Sequence, residues 1–380
     1  MDSAFIYDSY VTGKDFVGRS SDVTILSNLL LQGENVVIYE PPKSGKTSLV
    51  QQALHSLKTG GNRFRCCELS LMSVRGVADF ALKAGDAVLR CCAATPDEYE
   101  SIAGRYLGGT HYVFDREVYA SSGRILSLNW DVDEADVRAV FVMAEELSSS
   151  TGERLVFVID EFQNVMKTGG GESLCSILAG VMREYAGRSL CPFVLIGSCV
   201  NAMDDIFRRH GRFQRLVSRV PLSGIDAKEE ADYAVKGFLS SGKVCDRDTL
   251  LGAAALFRGN MWYFNHLCAV ADSLSRGYIM EPLLLSALKT LISVHEPRFR
   301  AVMDDLTTFQ ICFLKAVLDG HTKFSSSEVI SRYNLSSSAN VRRLKDALCK
   351  KEILFFDDND APHVLDPLFE YWVRQFYFEK

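Results

Sequence analysis

Glu40-Pro41-Pro42-Lys43-Ser44-Gly45-Lys46-Thr47 is the stretch on which the reading of this chain turns. It follows a β-rich run, Asn35–Tyr39, and opens a run with helical spacing, in which Leu49, Val50, Ala53, Leu54 and Leu57 are the apolar positions. A strand, a tight turn and a helix beginning in Lys-Thr form the context that a phosphate-binding loop requires. Backbone N–H groups of such a loop and of the helix N-terminus point at phosphate oxygens. Lys46, at an expected exposed loop-to-helix junction, would reach the β and γ phosphates, and Thr47 would offer its hydroxyl to Mg²⁺. Pro42, Lys43, Ser44, Gly45 and Ser48 complete the expected cradle. The pattern usually opens with glycine. Glu40 stands there instead, so its carboxylate must point away from the phosphates.

Working outward, the next informative stretch is Leu155-Val156-Phe157-Val158-Ile159-Asp160-Glu161. A continuous apolar run reads as a strand covered on both faces. Two acids at its end would lie at the C-terminal edge of a parallel sheet, where ligands bind. Asp160 is expected in the Mg²⁺ shell, and Glu161 is expected to orient and polarise the attacking water. Phe193–Ile196 and Leu216–Val220 read as further strands, with helices between, so the sheet should be mostly parallel. After Pro221 the pattern from Ala227 to about Leu291 is helical only. Residues 93–130 hold scattered aromatics and glycines without a sustained period, and they read as an insertion.

Composition narrows the setting. The 380 residues include 47% hydrophobic and 24% charged, an ordinary globular balance with enough apolar material for two or three domains. The formal net charge of −6 supplies no global field toward nucleic acid or an anionic membrane. Eleven cysteines show no zinc-ligand spacing and read as buried thiols in a reducing compartment. Neither a leader nor a membrane-length apolar run is recognisable, so a soluble, cytoplasmic protein is expected.

Phe16-Val17-Gly18-Arg19, the Pro-Pro-x-Ser-Gly-Lys-Thr loop and Ile159-Asp160-Glu161 together resemble AAA+ ATPases. More closely, their order is similar to the prokaryotic ATPases of the STAND class, called archaeal-type although bacteria carry them too. The resemblance implies that the backbone of Val17 and Gly18 borders the adenine of ATP. It implies that Ser198, in Ile196-Gly197-Ser198, is a small polar sensor, with Asn201 as competitor. Gly211-Arg212 resembles an element whose arginine touches a neighbour's γ phosphate, although Arg208, Arg209 and Arg215 lie close by. Gly259-Asn260-Met261-Trp262-Tyr263 resembles a lid turn, with Trp262, Tyr263 and Phe264 read as lid core. Asp366-Pro367-Leu368-Phe369 and Trp372 resemble the end of a winged helix.

The expected fold is therefore α/β: a P-loop NTPase core at 1–225, a helical lid at 226–297 and a winged helix-turn-helix domain at 298–380. The third helix of that domain should be capped within Ser336-Ser337-Ser338, and it carries Arg342, Arg343, Lys345, Lys350 and Lys351. A basic third helix suits DNA phosphates. The acidic hairpin residues Asp357, Asp358 and Asp360 oppose that, so a protein partner or self-association is preferred. The expected function is an ATP-driven switch. The alternatives are a DNA-binding regulator with nucleotide as a static ligand, and a scaffold that does not hydrolyse.

Overall fold

The computed structural model describes residues 4–209 and 211–378. The outer ends of the expected first and third domains, at 1–3 and 379–380, lie outside the described residues. The chain divides into two compact units, one comprising Met1–Arg19, Pro41–Ser48 and Ser223–Lys380, the other Ser20–Glu40 and Leu49–Leu222.

The second unit is built on a five-stranded parallel sheet. Its strands are β1 (Val36–Tyr39), β2 (Phe64–Ser70), β5 (Arg154–Asp160), β6 (Phe193–Gly197) and β7 (Ser218–Arg219). Their order is β2-β5-β6-β1-β7. β1, β6 and the middle of β5 are buried throughout, as continuous Val/Ile/Leu/Phe runs require when both faces are covered. The register pairs Tyr39 with Gly197 and Ile159 with Leu195, so the chain leaves β1, β5 and β6 on the same sheet edge. Helices Ser20–Leu31, Val77–Cys92, Glu134–Thr151 and Gly171–Glu184 belong to this unit, and helix Lys46–Thr59 begins in the other. The helix at Glu134 starts in a reciprocal cap between Asp133 and Asp136 and stops at Gly152, whose φ of 66° suits glycine.

The stretch at 93–130 is ordered, unlike its unreadable sequence. Helix Pro96–Tyr106 is capped by Thr95 and Glu98, and strands β3 (Tyr112–Phe114) and β4 (Leu126–Leu128) pair antiparallel around helix Arg116–Ser122. Tyr99, Phe114 and Tyr119 cluster within it. Three-residue strands are too short to show a period of two, which hides them from sequence patterning.

The first unit has one continuous apolar core, running from Phe5 through the helices after Ala227 to Val373. Those helices are Ala227–Ser240, Arg247–Phe257, Met261–Leu274 and Glu281–Asp304. Two-residue strands β8 (Val244–Cys245) and β9 (Tyr278–Ile279) pair in parallel among them, which corrects the expectation of helices alone. The winged-helix elements follow as helices Thr308–Leu318, Ser327–Arg332 and Ser338–Lys350, the hairpin β10 (Leu354–Phe356) and β11 (Pro362–Val364), and helix Pro367–Trp372. Ser337 caps the third helix through the N–H of Asn340, as its sequence implies. Helix Glu281–Asp304 runs across the expected boundary at 297/298, and Tyr263 donates to Asp366 at 2.9 Å, so the helices after Ala227 and the winged-helix elements are joined rather than meeting as loose modules.

Candidate functional site

In the first unit, the loop Pro41–Ser48 folds around its own lysine. Lys46 Nζ donates to the carbonyl of Pro41 at 2.8 Å and to Ser44 Oγ at 3.4 Å, and the residue is only 7% exposed. This corrects the expected exposed position: the loop wraps around Lys46. Gly45 sits at φ 95°, a backbone conformation that favours glycine, and Arg19 Nη1 reaches to 2.8 Å from where a Cβ would stand. Arg19 donates from Nη1 to the carbonyl of Ser44 at 2.7 Å and from Nε to the carbonyl of Ser223 at 2.8 Å. One guanidinium thus joins the loop Pro41–Ser48 to the segment that precedes helix Ala227–Ser240. Gly18 packs against Ile225 and Glu229, and Ser48 Oγ accepts the N–H of Val11 at 3.2 Å. Lys43 Nζ lies 4.8 Å from the ring centre of Trp262. Tyr263 and Phe264 are core residues as expected, whereas Trp262 is half-buried and meets the loop lysine.

In the second unit, Asp160 ends β5, and Glu161 follows with φ 55°. That left-handed residue turns the chain into the tight helix Phe162–Lys167 and aims Glu161 along the sheet edge toward β6. Ser198 Oγ donates to Glu161 Oε2 at 2.6 Å, and Gln163 Nε2 donates to the same oxygen. Two residues singled out separately in sequence, Glu161 and Ser198, therefore meet. Glu40 turns toward β7, where Arg219 Nη2 lies 3.9 Å from its carboxylate and the same guanidinium sits 4.1 Å from the centre of the Tyr39 ring. Arg219 is the residue that sequence reasoning missed. A cation at the end of a two-residue strand carries no motif. Burial pushes the Tyr39 hydroxyl up to about 12, and it donates to Asp204 at 3.1 Å.

Residues 36–220 match the family model for ATPases associated with various cellular activities, and residues 297–375 match that of a probable winged helix domain. The chain carries an AAA ATPase domain and a C-terminal winged-helix domain. The fold of this AAA ATPase is similar to that of the Walker-type ATPase of Pyrococcus abyssi, with a TM-score of 0.67 at 14% identity over 98% of this chain and 99% of that one. It is also similar to the ORC2 protein of Aeropyrum pernix, solved in ADPNP and ADP complexes, with a TM-score of 0.60 at 12% identity over 98% of each chain. No curated protein matches in sequence. Nucleotide binding and ATPase activity follow from the AAA domain. Among the described residues no helix is long and apolar enough to cross a membrane.

The arginines of the AAA domain sort by their partners. Arg212 is drawn to Glu172 at the start of helix Gly171–Glu184, Arg208 to Asp204 and Arg209 to Asp205. Arg215 has no ion-pair partner among the described residues and sits at φ 61°. In the winged helix, Lys345 pairs with Asp360 of the hairpin turn and lies 3.9 Å from the ring centre of Phe356. Lys351 pairs with Asp305. The expected basic face thus shrinks to the exposed Arg342, Arg343 and Lys350. His111, Asp133 and Asp136 lie close enough to suggest a metal. However, Asp136 already accepts the N–H groups of His111 and Asp133 and contacts the His111 ring, so the group is a helix cap.

Proposed function

We propose that this AAA ATPase is a nucleotide-driven switch of the STAND kind, in which the state of the phosphate loop is passed to the lid (226–297) and the winged helix (298–380). The observation that supports this reading is the double hold of Arg19, on Ser44 in the loop and on Ser223 at the lid entrance. A ligand that repositions the loop carbonyl changes one of those two bonds, and binding energy can then bias the lid.

In this reading the backbone of Val17 and Gly18 borders adenine, and Pro42, Lys43, Ser44, Gly45 and Ser48 cradle the phosphates. Lys46 exchanges its internal carbonyl contact for β and γ oxygens. Thr47 and Asp160 offer a hydroxyl and a carboxylate, hard oxygen donors of the type Mg²⁺ prefers. The ion would supply charge neutralisation at the phosphates when bound. Glu161 takes a proton from water as the water oxygen bonds to the γ phosphorus. The bond from that phosphorus to the bridging oxygen breaks, leaving ADP and inorganic phosphate. Ser198 senses the γ phosphate through its shared contact with Glu161. Arg212 would have to leave Glu172 to act as a finger toward a second copy, whereas Arg215 has no ion pair to break among the described residues.

Lys46→Ala tests the loop. Titration calorimetry with ATP should show no binding, while circular dichroism shows the parental fold. Parental affinity would remove the phosphate-loop assignment. Tight nucleotide without turnover, together with salt-sensitive retention on DNA, would favour the static-ligand regulator instead.

A further inference from the structure

Gln163 lies two residues beyond Glu161, in the tight helix Phe162–Lys167, and is 5% exposed among apolar neighbours. A buried carboxamide must spend both its donor and its acceptor, and where it spends them is informative. Its Nε2 donates to Glu161 Oε2 and, at 3.2 Å, to Ser198 Oγ. Its Oε1 accepts the backbone N–H of Ser198 at 3.3 Å. With Ser198 Oγ donating to Glu161 Oε2 at 2.6 Å, the three residues close a ring that ties the end of β5 to the end of β6. Oε2 of Glu161 is thereby occupied twice. No donor among the described residues reaches Oε1.

We infer that Gln163 is the positioning residue of this ATPase: it holds Glu161 and Ser198 as one body, binding Oε2 so that Oε1 is the oxygen presented to the attacking water. This rests on the reading of Glu161 as the base. Gln163 touches no substrate. It acts by removing the rotational freedom of a side chain that sits on a left-handed backbone residue. Because the same amide also accepts from the Ser198 backbone, a displacement of the β6 end moves the base with it. Sensing and proton transfer are then one motion rather than two.

The experiment is single-turnover hydrolysis of bound ATP, with affinity measured in parallel, on Gln163→Leu, Gln163→Glu and Glu161→Gln of the full chain. Gln163→Leu, close in size and without hydrogen-bonding groups, should lower the rate constant about tenfold or more and leave the ATP dissociation constant within about twofold. Gln163→Glu should be slow where the new side chain is ionised and repels Glu161. It should recover toward the parental rate as pH falls and the neutral acid becomes a donor again. A residue that merely filled space would not produce that recovery. If Gln163→Leu does not fold, the pH profile of Gln163→Glu decides alone. Parental rates in both Gln163 variants, or rate and affinity lost together without recovery at lower pH, would overturn the assignment. Glu161→Gln separates the two layers. If it hydrolyses at the parental rate, the base reading itself fails. If it is inactive while Gln163→Leu is parental, only the role of Gln163 fails.

Discussion

Two glutamates in the two units of this ATPase meet opposite fates. Glu161, at the end of β5, is supplied with donors: a serine hydroxyl and a carboxamide both point at one of its oxygens. Glu230, on helix Ala227–Ser240, is 0% exposed, and neither of its oxygens has a hydrogen-bond partner among the described residues. Burial pushes its pKa from the ordinary 4.5 up to about 8, although the Arg19 guanidinium pulls the other way. The same side chain is thus furnished as an acceptor in one place and stored as a neutral acid in the other. What differs is only whether the fold brings donors to it. Glu161 is held at the end of β5 by its donors, whereas Glu230 is a cost carried by helix Ala227–Ser240 near Arg19, whose guanidinium holds the loop Pro41–Ser48.

The comparison breaks first at Glu161. Glu161→Gln should retain ATP binding and slow hydrolysis by about 10²–10⁴-fold. Asp160→Asn should instead weaken Mg·ATP binding as well, and single-turnover assays on both variants check the division of roles. The second test sits at Glu230. Its folded-state pKa is raised, so the native protein holds a proton that the unfolded chain has already released between 4.5 and about 8. That contribution to stability is therefore greatest below 4.5 and is lost as pH rises through the folded value. Glu230→Gln should flatten the dependence, gaining on the order of a few kcal/mol over the parent at about pH 9 and little at about pH 5. Denaturant melts at both pH values measure this, and parallel parent and variant curves would remove Glu230 as the cause.

A smaller effect is expected where lid and winged helix share polar contacts. Asp366 caps helix Pro367–Trp372 by accepting the N–H groups of Leu368 and Phe369, and it also accepts from Tyr263 and Arg298. Asp366→Ala should cost about 1–2 kcal/mol of cap energy in equilibrium unfolding. A single transition should persist, because the apolar core runs through both parts. Two separated transitions would contradict that shared core. The smallest effect belongs to Arg342→Glu with Arg343→Glu, which lie exposed on the third winged-helix segment. Stability should change by no more than about 0.5 kcal/mol. Gel shifts at two salt concentrations ask whether that face matters to DNA, and loss of a salt-sensitive complex would restore the DNA reading.

Read alone, the sequence determined what local rules control. Continuous apolar runs set β1, β5 and β6. The Gly45-Lys46-Thr47 turn marked the start of helix Lys46–Thr59, Asp160-Glu161 marked the end of β5, and Ser337 marked the start of the third winged-helix segment. Each signal lies within a few residues of its structural consequence, so backbone geometry and burial suffice to read it. Tertiary structure alone decided the partnerships between distant residues. Arg219 takes the carboxylate of Glu40, Arg19 spans Ser44 and Ser223, Gln163 reaches Ser198, Lys345 is spent on Asp360, and Phe5 docks into the lid against Phe238. None of these follows from composition or period, because a hydrogen bond or ion pair between residues far apart in the chain depends on which strand ends and helix faces the fold brings within about 3 Å.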